Sequence, residues 1–196
     1  MQDRRDGESE GEYDRAAPIR TPRLLMRRPS EQDHALIARF VANPGMARNL
    51  AVAPGGEDEG ESFAIVERRS ATVVGVSGYG PMTDRPGAIE VATWIGEAFW
   101  GRGYATEATH AVIDRAFCET GISILWCNNR VSNARARRVI EKCGFQFHET
   151  GMGRSPGSFG AIPVERFVLE RRNWASLKSW GAGSLEESDV RRDNAA

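Results

Sequence analysis

Cysteine and histidine are scarce in this chain, with three of each among 196 residues. Cys118, Cys127 and Cys143 are odd in number, widely spaced and free of any C-x-x-C pair, which argues against a disulfide framework. His34, His110 and His148 fall in no ligand spacing such as H-E-x-x-H, so no metal site is expected. Each of the six reads more simply as a small core thiol or a half-buried ring. Long apolar runs are missing too: nothing approaches the roughly 18 uninterrupted apolar residues of a spanning helix. The opening Met1-Gln2-Asp3-Arg4-Arg5-Asp6 lacks the apolar stretch of a secretory leader, and the expectation is a cytoplasmic protein with no membrane partner. Neither sign of charge dominates. Lys+Arg number 26 against Asp+Glu 27, a formal net charge of −1, which argues against a protein built to hold nucleic acid or an acidic membrane surface.

What is present, 40% hydrophobic and 27% charged residues, suffices for one globular core. Residues 1–17 and 181–196 mix charges with Gly and Ser and hold few large apolar side chains, so they cannot offset the entropy of being ordered. Two disordered tails around a single domain at 18–180 are expected. Ile19–Arg28 alternates as a strand, and Ser30-Glu31-Gln32-Asp33 opens a helix by its S-x-x-D spacing, which Asn43-Pro44-Gly45 ends. Pro54–Glu61 is glycine-rich and acidic, hence a loop. Phe63–Glu67 and Thr72–Gly78 read as a hairpin, and Ala88–Ile95 as a strand with Glu90, Ala92 and Trp94 on one face. Tyr104–Thr120 has helical apolar spacing closed by Gly121, Ile122–Cys127 is a strand, and Ser132–Cys143 is a second helix stopped by Gly144. Phe145–Thr150 and Pro163–Arg171 are the last strands, separated by a loop over Gly151–Gly160. Antiparallel strands followed by strand, helix, strand, helix, strand, strand predict a single α/β domain with a mixed, mostly antiparallel sheet flanked by helices.

Chemistry concentrates in two segments. Trp100-Gly101-Arg102-Gly103-Tyr104-Ala105-Thr106 joins a strand to a helix through two glycines, leaving backbone N–H groups to converge at the positive end of that helix. Such a nest holds an anion, a phosphate or pyrophosphate, and Arg102 adds a cation. Glycines in a tight turn serve geometry as often as ligands. The segment is no Walker loop, lacking Gly-Lys-Ser/Thr, and no dinucleotide fingerprint, since Thr106 stands at the third glycine position. The second segment is Asn133–Phe145, whose Arg135, Arg137 and Arg138 form either a solvated helix face or a surface for cofactor phosphate or an acidic acceptor. Glu90, inside a strand, is either an exposed edge position or a chemical group.

Together the two segments resemble the GCN5-related N-acetyltransferase (GNAT) superfamily, and within it the RimJ/RimL-type branch. That branch carries a W-G-x-G-Y-A-T-E-A loop, unbroken here as Trp100–Ala108, and an N-x-x-S-x-R-V-x-E-K-x-G-F helix, matched at Asn133, Arg138, Val139, Glu141, Lys142, Gly144 and Phe145. A looser likeness runs from Thr21-Pro22-Arg23-Leu24 to about Trp174. The resemblance implies a splayed central strand pair and acetyl-CoA as co-substrate. The amides of Gly101, Arg102, Gly103, Tyr104, Ala105 and Thr106 would take the pyrophosphate beside Trp100, Asn133 and Arg138, and the edge of Thr93, Trp94 and Ile95 would pair with the pantetheine. A free backbone N–H in the opened gap would polarise the acetyl carbonyl.

The resemblance also makes Glu90 the general base, directly or through water, for attack by a neutral amine in a ternary complex. An α-amine with pKa 7.7–8.0 is roughly 10–20% neutral at pH 7, whereas a lysine near 10.4 is about 0.04% neutral, so an N-terminal amine needs little help. Two departures stand out. The Ser of the helix motif is Ala136, and a Tyr that many relatives place near that helix end is Ile140, which leaves the general acid unassigned and Asn133 to orient a water. The stretch Met46–Phe63 is short and glycine-rich where relatives place a second helix, implying a more open acceptor mouth or one completed by a partner chain in a homodimer. The expected function is N-acetyl transfer to a primary amine, a protein N-terminus or a small-molecule or antibiotic amine. The alternatives are a non-catalytic CoA-binding regulatory module and, weakest, an RNA- or ribosome-associated protein, for which no aromatic platform exists.

Overall fold

The computed structural model describes residues 17–42, 60–82, 84–154 and 161–179. The tails expected at 1–17 and 181–196, apart from Ala17, and most of the short 46–63 stretch lie outside these residues. The N-terminal strand is two strands, β1 (Ile19–Arg20) and β2 (Leu24–Arg27), where one continuous strand was expected. The reason is local: the Thr21 hydroxyl oxygen accepts the Leu24 N–H at 2.9 Å, closing a turn that pairs Ile19 with Met26.

Helix α1 (Glu31–Ala42) starts as its S-x-x-D spacing predicts. Ser30 N–H donates to Asp33 Oδ2 at 2.6 Å while Asp33 N–H donates to Ser30 Oγ at 3.4 Å. Arg27 donates to the same carboxylate at 2.5 Å, and that guanidinium holds the Asp33 carboxyl well below the usual range.

Strands β3 (Glu61–Glu67), β4 (Thr72–Pro81) and β5 (Ile89–Ile95) follow as an antiparallel meander, and a single 3₁₀ turn at Glu97–Phe99 leads to α2 (Tyr104–Glu119). Then come β6 (Ile124–Arg130), α3 (Ala134–Lys142), β7 (Gln146–Arg154), β8 (Ala161–Glu170) and α4 (residues 171–179). The eight strands form one sheet in the order β1-β2-β3-β4-β5-β6-β8-β7, and every neighbouring pair is antiparallel except β5 and β6, which α2 connects. The mixed, mostly antiparallel sheet flanked by helices is therefore as expected.

Two further boundaries differ from expectation. Gly121 is not the cap of α2: Thr120 turns extended at φ −129°, its hydroxyl donates to Ala116 O at 2.5 Å, and Arg171 donates to the carbonyls of Phe117, Thr120 and Ile122. The Thr120 hydroxyl and an arginine 51 residues beyond it make this end, where local glycine chemistry misled; Gly144, at φ 89°, does stop α3. Strand β7 runs on through Gly151 and Gly153 to Arg154, where a loop was expected. A Cβ on Gly151 would lie 2.3 Å from the Arg166 guanidinium, so glycine here admits a long side chain from β8 instead of breaking the strand.

The core lies between the sheet and α2. Ala108, Val112 and Ala116 recur every four residues on α2 and belong, with Ile113, Phe117, Leu125 and Leu169, to one core cluster with almost no exposure. That packing fixes the N-terminus of α2 relative to the end of β5, the relationship on which the site depends.

Candidate active site

Strands β5 and β6 are in register at Ile89↔Leu125 and Glu90↔Trp126 and nowhere beyond, whereas β4 follows β5 all the way to Gly75↔Ile95. From Val91 onward the two central strands fork, and Glu90 stands at the vertex. A cleft of about 720 Å³ fills the fork, lined by β5 from Glu90 to Ile95, by the first turns of α2, by Cys127 and Asn128, and by α3.

The far end of the cleft is the glycine turn. Gly101 (φ 76°) and Gly103 (φ 80°) both occupy the left-handed region, and Gly103 is the N-cap of α2. A Cβ on Gly101 would meet nothing within 4 Å, and one on Gly103 only Arg23 Nη2 at 3.2 Å. Glycine is thus required by conformation and not by crowding. The first α-helical bond of α2 runs from Glu107 N–H to Gly103 O at 3.1 Å, so the amides of Tyr104, Ala105 and Thr106 precede it at the positive end of the helix.

This turn is held from several sides. The Trp100 indole N–H donates to Ile95 O at 2.6 Å, and the Tyr104 hydroxyl donates to Glu67 Oε1 at 2.5 Å. Glu107 accepts Thr21 Oγ1 (2.6 Å), Arg23 N–H (3.0 Å) and Arg23 Nε (2.7 Å), while Arg23 Nη1 donates to Arg102 O at 2.8 Å. The two aromatic positions of the loop motif therefore line the cleft but spend their polar ends on holding the turn in place. Arg102 is the exception among the expected binding residues. It does not line the cleft; its guanidinium lies 5.6 Å from the centre of the Phe99 ring and donates to Ala98 O at 3.3 Å.

Glu90 is 5% exposed, so its reading as a solvated edge residue is wrong. Asn128 Nδ2 donates to Glu90 Oε2 at 3.0 Å. Burial pushes the Glu90 carboxyl up from the ordinary value to about 8; the negative charge of Asp84 adds to this, and the Asn128 hydrogen bond and the Arg166 cation oppose it. Asp84 and Arg166 form an ion pair, and Arg166 also reaches Glu149 at 3.4 Å. A second polar feature flanks β5: Ser77 Oγ, Thr93 Oγ1 and Thr109 Oγ1 form a hydroxyl chain at 2.6 and 2.8 Å, with Ser77 donating to Ala92 O at 3.2 Å. Three elements, β4, β5 and α2, are thereby tied behind the open edge of Thr93.

The second motif divides. Asn133 is the N-cap of α3, its Oδ1 accepting Ala136 N–H at 3.0 Å. The cap fixes Asn133 at the start of α3, where it also lines the cleft. Arg135 and Arg138 line the cleft, Arg135 lying 5.6 Å from the Trp100 ring centre. Arg137 turns away to Glu141 (2.9 Å) and buried Glu165 (2.7 Å). Cys127 also lines the cleft, and burial pushes its thiol far above the ordinary range. Among the described residues no group of three His, Cys, Asp or Glu gathers to hold a metal ion, and no helix is long and apolar enough to cross a membrane.

Sequence reasoning missed Asn128, Asp84 and Arg166. No motif marks them, because they reach Glu90 from three different elements. Arg23 and Glu107 were legible as motif residues, but their mutual contact was not.

A mixed sheet forked at its only described parallel pair, with a glycine turn opening a helix onto the fork, defines an α/β domain built around an elongated ligand cleft. The chain belongs to the acetyltransferase (GNAT) domain family, whose model matches residues 23–146. A curated relative, the uncharacterized N-acetyltransferase p20 of Bacillus licheniformis, is 20% identical over 172 residues, covering 79% of this chain and 97% of that protein. Among solved structures, a GNAT-family acetyltransferase of Bacillus anthracis superposes with TM-score 0.66 at 16% identity over 80% of this chain and 99% of its own. A protein described as a ribosomal-protein-serine acetyltransferase of Vibrio cholerae gives TM-score 0.64 at 18% identity (79% and 97%). The aminoglycoside acetyltransferase AAC(6')-Ib in complex with coenzyme A gives 0.64 at 15% (79% and 99%). The chain is an acetyltransferase of a family that uses acetyl-CoA as co-substrate.

Proposed function

We propose that this chain transfers the acetyl group of acetyl-CoA to a primary α-amine, by direct attack in a ternary complex, with Glu90 as the general base. The observation that carries this reading is the position of Glu90: buried, at the vertex of the fork, at one end of a cleft whose other end is the N-terminus of α2. An acetyl-CoA molecule fits these residues. The amides preceding the first bond of α2, with Arg135 and Arg138 near, suit its pyrophosphate. The strand edge from Ile95 to Val91, five residues at about 3.3 Å each, spans about 16 Å, the length of an extended pantetheine arm, and delivers the thioester to the fork. Thr93, Trp94 and Ile95 supply that edge; Trp100 and Tyr104 shape the turn.

The protonation state of Glu90 favours an α-amine over a lysine. With the carboxyl at about 8, a proton passes from an α-ammonium of pKa 7.7–8.0 with almost no free-energy change. A lysine side chain lies about two units higher, a handicap of roughly 3 kcal/mol before attack begins. This accords with the RimJ/RimL-type reading of the loop and helix motifs. The second reading, a small-molecule amine, draws support from the fold likeness to an aminoglycoside acetyltransferase. Retention of a buried carboxyl in the cleft favours turnover over a silent CoA-binding module.

The test is incubation with acetyl-CoA and a panel of peptides with free N-termini, N-blocked peptides carrying lysine, polyamines and aminoglycosides, measuring release of free thiol. Release with free N-termini alone supports the α-amine reading. Release only with aminoglycosides or polyamines replaces it by the second reading, and tight binding without release from any acceptor overturns turnover.

A further inference from the structure

An acyl transfer to an amine moves one proton off nitrogen and places one on sulfur, and the cleft offers few groups that can do either. Tyr104 directs its hydroxyl to Glu67 at the glycine turn. The buried Cys127 thiol is pushed far above the ordinary thiol range, which makes it too weak an acid to protonate a thiolate. Arg135, Arg138 and Lys142 are exposed cations on α3, at the rim. Ile140 and Ala136, which also line the cleft, carry no polar atom on their side chains. Thr93 and Thr109 share their hydroxyls with Ser77, and they and the exposed Ser132 are alcohols, which neither gain nor lose a proton near neutrality. Among the described residues Glu90 is the one carboxyl in the lining, and it stands at the vertex of the fork.

We propose that Glu90 serves both halves of the reaction, accepting the proton that leaves the acceptor nitrogen and delivering that same proton to the departing sulfur. The inference rests on the reading of Glu90 as general base. The amine nitrogen forms a bond to the acetyl carbon, and its N–H proton passes to the Glu90 carboxylate. The C–S bond then breaks with its electron pair going to sulfur, and the protonated carboxyl returns the proton to the thiolate. The amide and the free thiol leave, and Glu90 is again a carboxylate; from the neutral amine onward no proton is exchanged with solvent, and an acceptor that arrives as an ammonium first gives its extra proton, by way of Glu90, to solvent.

Two features equip the group for this. Its carboxyl, at about 8, lies between an α-ammonium and an ordinary thiol near 8.5, so neither hand-over is uphill by much. A thiolate forming inside a cleft is poorly hydrated, which raises its own affinity for the proton. Asn128, donating to Glu90 Oε2, holds the carboxyl in one orientation through both steps.

The test compares wild type and Glu90→Gln on a series of acetyl thioesters whose thiols range from alkyl, as in acetyl-CoA, to nitroaryl, whose thiolate leaves without a proton. For each thioester the ratio of variant to wild-type kcat/KM cancels differences in binding and intrinsic reactivity, and the thermal transition of the variant confirms its fold. Measured well above the acceptor pKa, where the amine is already neutral, the ratio is expected near 10⁻² for acetyl-CoA, within the range for loss of a proton-transfer group, and to climb as the thiol becomes more acidic, stopping below one at the nitroaryl thioester, where only the accepting half is lost; a ratio that stays near 10⁻² across the whole series overturns the delivery to sulfur. A ratio near one for every thioester at high pH, with a deficit only at low pH, overturns the shuttle while leaving Glu90 as base. A ratio near one at every pH overturns both.

Discussion

Asn128 Nδ2 donates to Glu90 Oε2 at 3.0 Å from two residues past Trp126, the partner of Glu90 in the last rung before β5 and β6 part company. The donor favours the charged carboxylate and works against burial. Asp84, on the turn before β5, pulls the other way, and Arg166 on β8 opposes Asp84. The proton affinity of Glu90 is therefore raised by burial and adjusted by three side chains from three elements.

Replacing Asn128 by Leu removes a bond that lowers the Glu90 pKa, so the acid limb of kcat/KM against pH moves to higher pH. Asp84→Asn removes a charge that raises it, and the limb moves to lower pH. A displacement of about one unit, worth about 1.4 kcal/mol, changes activity on that limb about tenfold. Two limbs moving in the same direction, or neither moving, would remove Asn128 and Asp84 from the control of Glu90.

Stability carries an independent record of the same group. The folded-state pKa of Glu90 is raised from the ordinary 4.5 to about 8, so between those values the folded chain binds the proton more tightly than the unfolded chain. Wherever the folded state holds the extra proton, stability falls as pH rises. The penalty of the buried carboxylate is absent below about 4.5, grows from there to about 8 and is complete above it. Glu90→Gln carries no such penalty. Denaturation midpoints of the variant and wild type are expected to converge in acid and to separate toward pH 9, the variant being the more stable.

At the glycine turn, Gly103→Glu sets a carboxylate beside the amides of α2 at a position that also requires φ 80°. Gly103→Ala imposes the conformational cost without the charge. Calorimetric titration with CoA is expected to show about a 10²-fold loss for the glutamate variant, roughly 3 kcal/mol, beyond any loss for alanine. Equal affinities for the two would mean that no anion is held there.

Arg171 closes α2 from outside the helix, donating to the carbonyls of Phe117, Thr120 and Ile122. Arg171→Met is expected to cost about 3 kcal/mol in urea denaturation, the loss of charged hydrogen bonds to part-buried acceptors. CoA affinity should be unchanged, because the opposite end of α2 faces the cleft. A drop in affinity with unchanged stability would show that the end of α2 is held by other contacts.

The segments that the sequence made legible are those in which the relevant partners lie within a few residues of one another. Ser30 and Asp33 cap α1 across three positions, Asn133 caps α3 across three, and Gly144 stops it one residue after its cap. Alternation and helical spacing placed the remaining strands and α2 to within a few residues. Where the partner was distant, local reading failed: Arg171 at the end of α2, and the side chain of Arg166 over Gly151, which keeps β7 a strand.

The site divides in the same way. Sequence alone determined the glycine turn, the helix that follows it and the candidacy of Glu90, because backbone conformation and residue type are properties of the chain in its own neighbourhood. Tertiary structure alone decided that β5 and β6 share two registered pairs and then separate, that Arg102 points out of the cleft, and that Asn133 spends its oxygen on a cap. It also decided the burial of Glu90 and its company of Asn128, Asp84 and Arg166. The physical reason is that a proton affinity sums desolvation and charge over everything within a few ångströms, and those neighbours are brought together by strand order, which no local pattern encodes.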